Sequence, residues 1–374
     1  MDYLQISFGS SLKDLYNLRF TWVKSLGSHR RVAASVLIAV FLVSLMILIV
    51  GVDRIIGMLF LVTTNPIYLV LFLMAFLGAF LFRAKRLQII VGEKGIPFKF
   101  YLNILFASWF LNVLVPARIG EGAQIALLNA EYKVPVGKAM ASVVTDKLFD
   151  LLALLLLFSS FLAVIGIDLQ QEPTLGGFII IASIIVLVLF IGLLLIAIIP
   201  NRLIYLVNRL FSRWNRLSTI LCRLIDSASS AVKDLGSSKS QLAFLFVLSL
   251  PIWLCEAATL LMIAGAIGYG FPIIETMTAA IAAFLSMTIP VTPGGFGTYE
   301  LVMGFILSIL VVDAPFETVA LPLAITEHLL RQVVTLVVGA ISTSVIGTQF
   351  GRLLEMARKY RRIETQPNSQ ESPG

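Results

Sequence analysis

Residues 55–82 read IIGMLFLVTTNPIYLVLFLMAFLGAFLF, without a single Asp, Glu, Lys or Arg. A helix needs about 20 consecutive apolar residues to cross the hydrocarbon of a bilayer, so this stretch alone points to a membrane-embedded chain. Residues 32–52, 173–201 and 276–299 are equally free of those four charged residue types. Over 374 residues, 59% are hydrophobic and 13% charged, against roughly 25% charged in a soluble domain. Water cannot hide that much apolar surface, and no separate soluble domain large enough to be an enzyme is expected.

The net charge of +7 follows the membrane rather than nucleic acid. Twenty-four of the 28 Lys and Arg fall in residues 1–31, 83–99, 131–138, 200–240 and 348–374. Basic residues collect on the cytoplasmic side of short loops, so these segments and both termini are placed in the cytoplasm of a plasma-membrane protein. Residues 1–31 form a cytoplasmic N-terminal segment whose length argues for a retained first helix rather than a cleaved signal. Residues 200–240 alternate apolar and basic positions at helical spacing, as an amphipathic helix on anionic lipid or a solvated connector would. Residues 348–374 are a basic stretch followed by a disordered tail.

Between these limits, 32–347 is read as an all-α polytopic domain of about six full spans and two broken re-entrant hairpins. The spans are 33–52, 65–82, 136–166, 176–199, 241–268 and 318–347, with Arg83, Lys85 and Arg86 marking the inner face. The hairpins are 100–130, broken after Pro116, and 273–312, broken at Pro290–Gly297. Pro116 and Gly120 recur as Pro293 and Gly297, and the string Thr145–Asp150 (TDKLFD) recurs as Thr326–Arg331 (TEHLLR). By the charge map the two copies enter from opposite faces. That is an inverted-topology repeat, the arrangement that places a substrate site near the midplane.

Charges within the bilayer cost roughly 2.5–3.5 kcal/mol each on insertion scales, so each needs a partner or a polar cavity. Arg118, Glu121, Asp146, Lys147, Asp150, Glu256, Glu300, Glu327 and Arg331 lie in the intramembrane segments, with His328 among them. Asp146 and Asp150, and Glu327 and Arg331, are four apart and share a helix face. Arg331 and Lys147 are expected to neutralise carboxylates across the repeat interface, with Asp150 and Arg331 as a structural pair. The alternative to ion pairing is a polar substrate path. At Pro116 and Pro293 a helix begins with free amide groups and partial positive charge. Asn112, Gly294, Gly295 and Gly297 flank these breaks, and Arg118 adds a guanidinium fork suited to phosphate. The glycines also fit a tight turn with no ligand. The sequence offers no nucleophile with a plausible base, no metal-ligand cluster and no nucleotide fingerprint, so neither cofactor nor metal is expected.

Three strings, Asn112–Glu121 (NVLVPARIGE), Ala141–Lys147 (ASVVTDK) and Thr292–Glu300 (TPGGFGTYE), together resemble the lysylphosphatidylglycerol synthase transmembrane, or flippase-like, family over roughly residues 32–347. Lys147 stands where that pattern carries Arg. The resemblance implies a membrane domain that moves an anionic or modified phospholipid, or a polyprenyl-linked glycolipid, between leaflets. Its best-known members carry a fused aminoacyl transferase, which is not expected here. A lipid translocator is therefore the leading expectation, with a membrane lipid as partner and a lipid-modifying enzyme or glycosyltransferase as a second one. Its alternatives are a proton- or ion-coupled small-solute transporter, an intramembrane enzyme acting on a lipid-linked phosphate, and a scaffold for a glycosyltransferase.

Overall fold

A computed structural model describes residues 29–114, 119–168, 199–210, 239–288 and 292–364, with single helical positions at 181, 184, 187, 188, 191 and 222. Every described element is a helix. They are α1 (His29–Val50), α2 (Val52–Thr64), α3 (Pro66–Val91), α4 (Phe98–Leu114), α5 (Ile119–Tyr132), α6 (Val136–Asp168), α7 (Pro200–Leu210), α8 (Lys239–Ala266), α9 (Ile273–Ser286), α10 (Thr298–Leu310) and α11 (Leu321–Glu364). A short 3₁₀ turn at Pro293–Gly295 precedes α10, and a π turn at Phe316–Ala320 leads into α11. Five helical stretches are long and apolar enough to cross a membrane, or six if α1 and α2 count as one bent span. The protein is a multi-pass helical membrane protein.

The apolar stretch from 36 to 64 is two elements. Gly51 adopts φ 83, a conformation glycine reaches without a Cβ penalty, and the chain bends there by 84° between α1 and α2. The segment expected to be a loop before Pro66 is thus a helix, with Ile55, Met58 and Val62 buried at helical spacing. Arg54 Nη1 donates to the Glu317 carbonyl at 3.0 Å, tying α2 to the turn before α11. Pro66 opens α3 in its first turn, as its missing N–H permits, and Gly92 closes it in the left-handed conformation.

Both broken hairpins are present as packed helix pairs, α4 with α5 and α9 with α10. At 1.5 Å per residue α5 and α9 are about 20 Å long, too short to cross about 30 Å of hydrocarbon alone, whereas α10 with its preceding turn, Pro293–Leu310, is one of the five long apolar stretches. Gly120 lets α5 lie against α4: a Cβ there would stand 2.1 Å from the Ser108 carbonyl oxygen. The expected crossing at 176–199, the Pro116–Arg118 turn, Pro290 and the tail beyond 364 fall wholly or mostly outside the described residues. Of the amphipathic segment, Pro200–Leu210 is helical. The last helix continues past the expected end at 347 through the basic stretch to Glu364.

Helices α3 and α8 form the most extensive pairing, and α11 packs on α4. They run antiparallel, since Asn65 Nδ2 donates to the Ala266 carbonyl at 2.8 Å and Gly265 meets the Tyr68 ring. Position along one of these helices therefore converts into position along the other.

Candidate functional site

Arg83 and Arg86 are the first correction to the expected topology. Rather than marking a solvated inner face, both are buried, at 1% and 0% exposure, while Lys85 between them is exposed. Positions 83 and 86 share the helix face turned into the bundle. From the face where α3 begins, Arg83 lies about 26 Å along its helix and Glu256 about 15 Å along α8. Side chains lean toward their own helix N-terminus, so in antiparallel helices these two reach toward one another. Their ion pair lies about 20 Å along the bundle from the end where α3 begins.

Glu256 joins two cations, because Arg331 on α11 bonds its other carboxylate oxygen. Arg331 also pairs with Glu327 one turn earlier, with Nε to Oε1 at 3.1 Å. Thr259 on α8 donates to Glu327 Oε1 at 2.6 Å, and Tyr299 on α10 donates to Oε2 at 3.0 Å. Aromatic faces enclose the guanidinium groups. Arg83 Cζ lies 4.8 Å from the Trp109 ring and 4.7 Å from that of Trp253, and Arg331 Cζ lies 4.9 Å from Phe284. Two cations and two carboxylates thus share one buried compartment built from α3, α4, α8, α9, α10 and α11.

A second cluster lies further along α3. Arg86 Nε reaches Asp146 at 2.8 Å and its Nη2 reaches Asp150 at 2.7 Å, both on α6, while Nη1 donates to Ser249 on α8 at 2.7 Å. The expected partners are therefore wrong. Lys147 makes only a 3.5 Å contact with Asp150 and is about a third exposed. Asp150 and Arg331 do not pair; Arg86 answers the first, Glu256 and Glu327 the second. Arg86→Gln should strip both aspartates of their buried cation and cost about 3–5 kcal/mol. Adding Asp146→Asn should recover part of that loss in thermal unfolding of the purified protein. Lys147→Ala, at the rim, should change stability by about 0.5 kcal/mol or less.

The hairpin breaks differ from free helix ends. Gly297 N–H donates to Glu300 Oε2 at 2.8 Å, so the start of α10 is capped by the protein's own carboxylate. Gly120 N–H donates to Asn112 Oδ1 at 2.8 Å, and Asn112 Nδ2 donates to Glu121 Oε2 at 3.2 Å. Both expected anion sites thus have internal partners for an early amide. Gly294, Gly295 and Gly297 all carry positive φ, which the glycine-rich turn requires. His328 Nδ1 contacts Glu300 Oε1 at 2.7 Å, His328 Nε2 contacts Gln332 Nε2 at 2.6 Å, and Gln332 Nε2 donates to the Gly294 carbonyl at 3.1 Å. The motif around Pro293 is thereby laced to α11. Pro293 itself is half-buried, and the turn packs on α4 and α1. Pro116 and Arg118 lie outside the described residues.

Arg83, Arg86, Trp109, Trp253 and Tyr299 were absent from the sequence-derived site. The spacing of three between Arg83 and Arg86, at the end of a long apolar run, was the available signal for the first two. The aromatic positions carry no signal that separates them from ordinary core.

A family model for the lysylphosphatidylglycerol synthase transmembrane region matches residues 32–339. Among characterised or catalogued relatives, glycosyltransferase AglD of Haloferax volcanii is 22% identical over 313 residues, covering 75% of this chain and 49% of the relative. The chain thus spans about half the length of that protein. The UPF0104 membrane protein MJ1078 of Methanocaldococcus jannaschii is 28% identical, covering 54% of this chain and 81% of the relative. A UPF0104 membrane protein of Archaeoglobus fulgidus is 26% identical, covering 60% and 71%. No solved structure matches the chain. With the apolar helices, the paired hairpins and a match over most of its length, the chain belongs to the lysylphosphatidylglycerol synthase transmembrane region family.

Proposed function

We propose that this protein is a lipid translocator that carries an anionic or modified phospholipid, or a polyprenyl-linked glycolipid, between leaflets. One observation carries the reading: the buried ion-pair chain ends in donors without acceptors. Arg83 Nε and Nη2 and the neighbouring Trp253 Nε1 are buried and unpartnered among the described residues. An unmade buried hydrogen bond costs about 1–3 kcal/mol, so adjacent N–H groups of this kind suit a guest that brings oxygen acceptors. A phosphate or sugar headgroup has them, while its chains stay in the bilayer. Arg118 supplies a further fork at the first hairpin, and Asp146, Lys147, Glu327 and Arg331 line or gate the polar path.

The contacts also suit two inverted halves that rock about the site. The first arm of each hairpin packs on the long helix of the other unit: α4 on α11, and α9 on α6. Reciprocal packing of this kind is what a pseudo-two-fold axis generates. The basic segments face the cytoplasm of the plasma membrane in this reading. The similarity to a protein named as a glycosyltransferase favours a lipid-linked sugar among the candidate cargos, supplied by a separate enzyme. Co-purification of a glycosyltransferase activity with the tagged protein from native membranes would support that partner.

Arg118→Ala should abolish outer-leaflet headgroup labelling in cells that hold normal amounts of the protein. Unchanged labelling would remove Arg118 from the path.

A further inference from the structure

Glu300 is the exception among the buried acids of the bundle. Glu256, Glu327, Asp146 and Asp150 each touch a guanidinium, whereas Glu300, at 2% exposure, meets only His328 and the Gly297 amide among the described residues. A lone carboxylate in low dielectric is costly without a cation. The group beside it is an imidazole, which can take up or release one proton at a ring nitrogen.

The hydrogen-bond directions define the proton's present place. The Gln332 amide nitrogen donates to the Gly294 carbonyl, so it is the NH₂ group, and its second hydrogen points at His328 Nε2. His328 Nε2 therefore accepts, and the ring proton sits on Nδ1, donated to Glu300 Oε1. Glu300 also lines a crevice of about 220 Å³ between α1, α2 and α11, with Val43, Ile55, Phe296 and Leu329. Glu300 thus faces a space outside the ion-pair compartment, with the buried His328 behind it.

We propose that Glu300 and His328 form a proton-binding site whose filling releases the Pro293–Gly297 turn from α11, so that opening of the second hairpin is coupled to proton movement. One proton added to the lone pair of His328 Nε2 makes the imidazolium, and no other bond breaks in the ring. The imidazolium then neutralises Glu300, and both its nitrogens donate. Gln332 must turn its amide to present oxygen to Nε2, which withdraws its NH₂ from the Gly294 carbonyl. The tether between the glycine turn and α11 is lost. Loss of the proton restores it.

The other ionisable groups on the packed elements make no hydrogen bond to this pair among the described residues. On α11, Glu327 and Arg331 flank His328 but are bonded to one another, and Glu327 also to Tyr299. From α10, the Tyr299 ring lies 4.3 Å from the imidazole, and Phe296 of the turn lies 5.1 Å away. Helices α1 and α2 line the crevice with apolar side chains only. Helix α4 carries Lys99 and Tyr101 in its first turn and α9 carries Glu275 in its first turn, both at the ends away from the hairpin break.

The inference rests on the translocator reading for its cargo but not for its site, and two measurements separate them. Hydrogen exchange of the purified full chain, corrected for the intrinsic pH dependence, should show protection of residues 294–300 falling by about tenfold from mildly alkaline to mildly acidic pH, the effect of one lost hydrogen bond. His328→Gln, and independently Glu300→Gln, should flatten that dependence. A flat wild-type profile, or an unchanged profile in whichever of the two variants folds, overturns the proposal. In proteoliposomes, an imposed pH gradient should change the rate of headgroup exchange between leaflets. Exchange that ignores the gradient overturns the coupling while leaving the translocator intact. Absence of any exchange counts against the translocator, and the exchange-protection profile still decides the proton site.

Discussion

Glu256→Gln is expected to be among the most damaging single substitutions in the chain, lowering stability by about 3–5 kcal/mol. The shape of the side chain barely changes, so packing is not the cause. Glu256 is the shared counter-ion of Arg83 and Arg331, both essentially without solvent contact. Removing its charge leaves two guanidinium groups buried in the bundle with Glu327 alone to offset them. Buried ion pairs add little net stability when intact, because desolvation cancels most of the attraction. Breaking one exposes the whole desolvation cost. Thermal unfolding in detergent should show the drop, and Arg83→Met combined with Glu256→Gln should recover part of it. A Glu256→Gln protein as stable as wild type would mean that the pairing is not as described.

Gly120→Ala should be comparably severe for a different reason. The added methyl would meet a backbone oxygen, that of Ser108, at 2.1 Å, as well as the Ser108 hydroxyl at 2.6 Å. Side-chain rotation relieves only the second contact. Helix α5 must move away from α4, which also breaks the Gly120 to Asn112 and Gln124 to Ser108 hydrogen bonds. Overpacking typically costs about 1–3 kcal/mol and more where backbone has to shift. Ser108→Ala should therefore fail to rescue it, and a protease-sensitivity assay at the hairpin should show the first hairpin loosened. Rescue by Ser108→Ala would show that the backbone contact has slack.

Much of the fold was legible because membrane helices announce themselves through length and charge exclusion. Both hairpins were legible too, since Pro293 and the following glycines interrupt an apolar run too short to cross twice. The bend at Gly51 was not. A single glycine between two apolar helices reads the same whether the chain runs straight or turns, and only packing of Ile55, Met58 and Val62 distinguishes them. Among the site residues, Asp146, Asp150, Glu256, Glu327 and Arg331 stood out as charges within apolar segments, and the structure buries all five. Their partners could not be read from sequence. Arg83 and Arg86 sit where a basic cluster ordinarily marks a membrane face, and burial by neighbouring helices is a tertiary property. The same limit explains Glu300: a carboxylate at the start of a helix predicts capping in general, but its bond to His328 depends on how α10 meets α11.

The central claim is that a lipid headgroup crosses through the polar interior. It is tested most directly by reconstituting the purified chain in vesicles of native lipid extract carrying a trace of headgroup-labelled lipid. A membrane-impermeant quencher then reads how much label faces outward over time. The account predicts that label from the inner leaflet becomes reachable at a rate proportional to protein content, and that Arg83→Gln and Arg118→Ala suppress it. Exchange no faster than in protein-free vesicles for phospholipid and lipid-linked sugar alike, with the protein verified as folded, would contradict it.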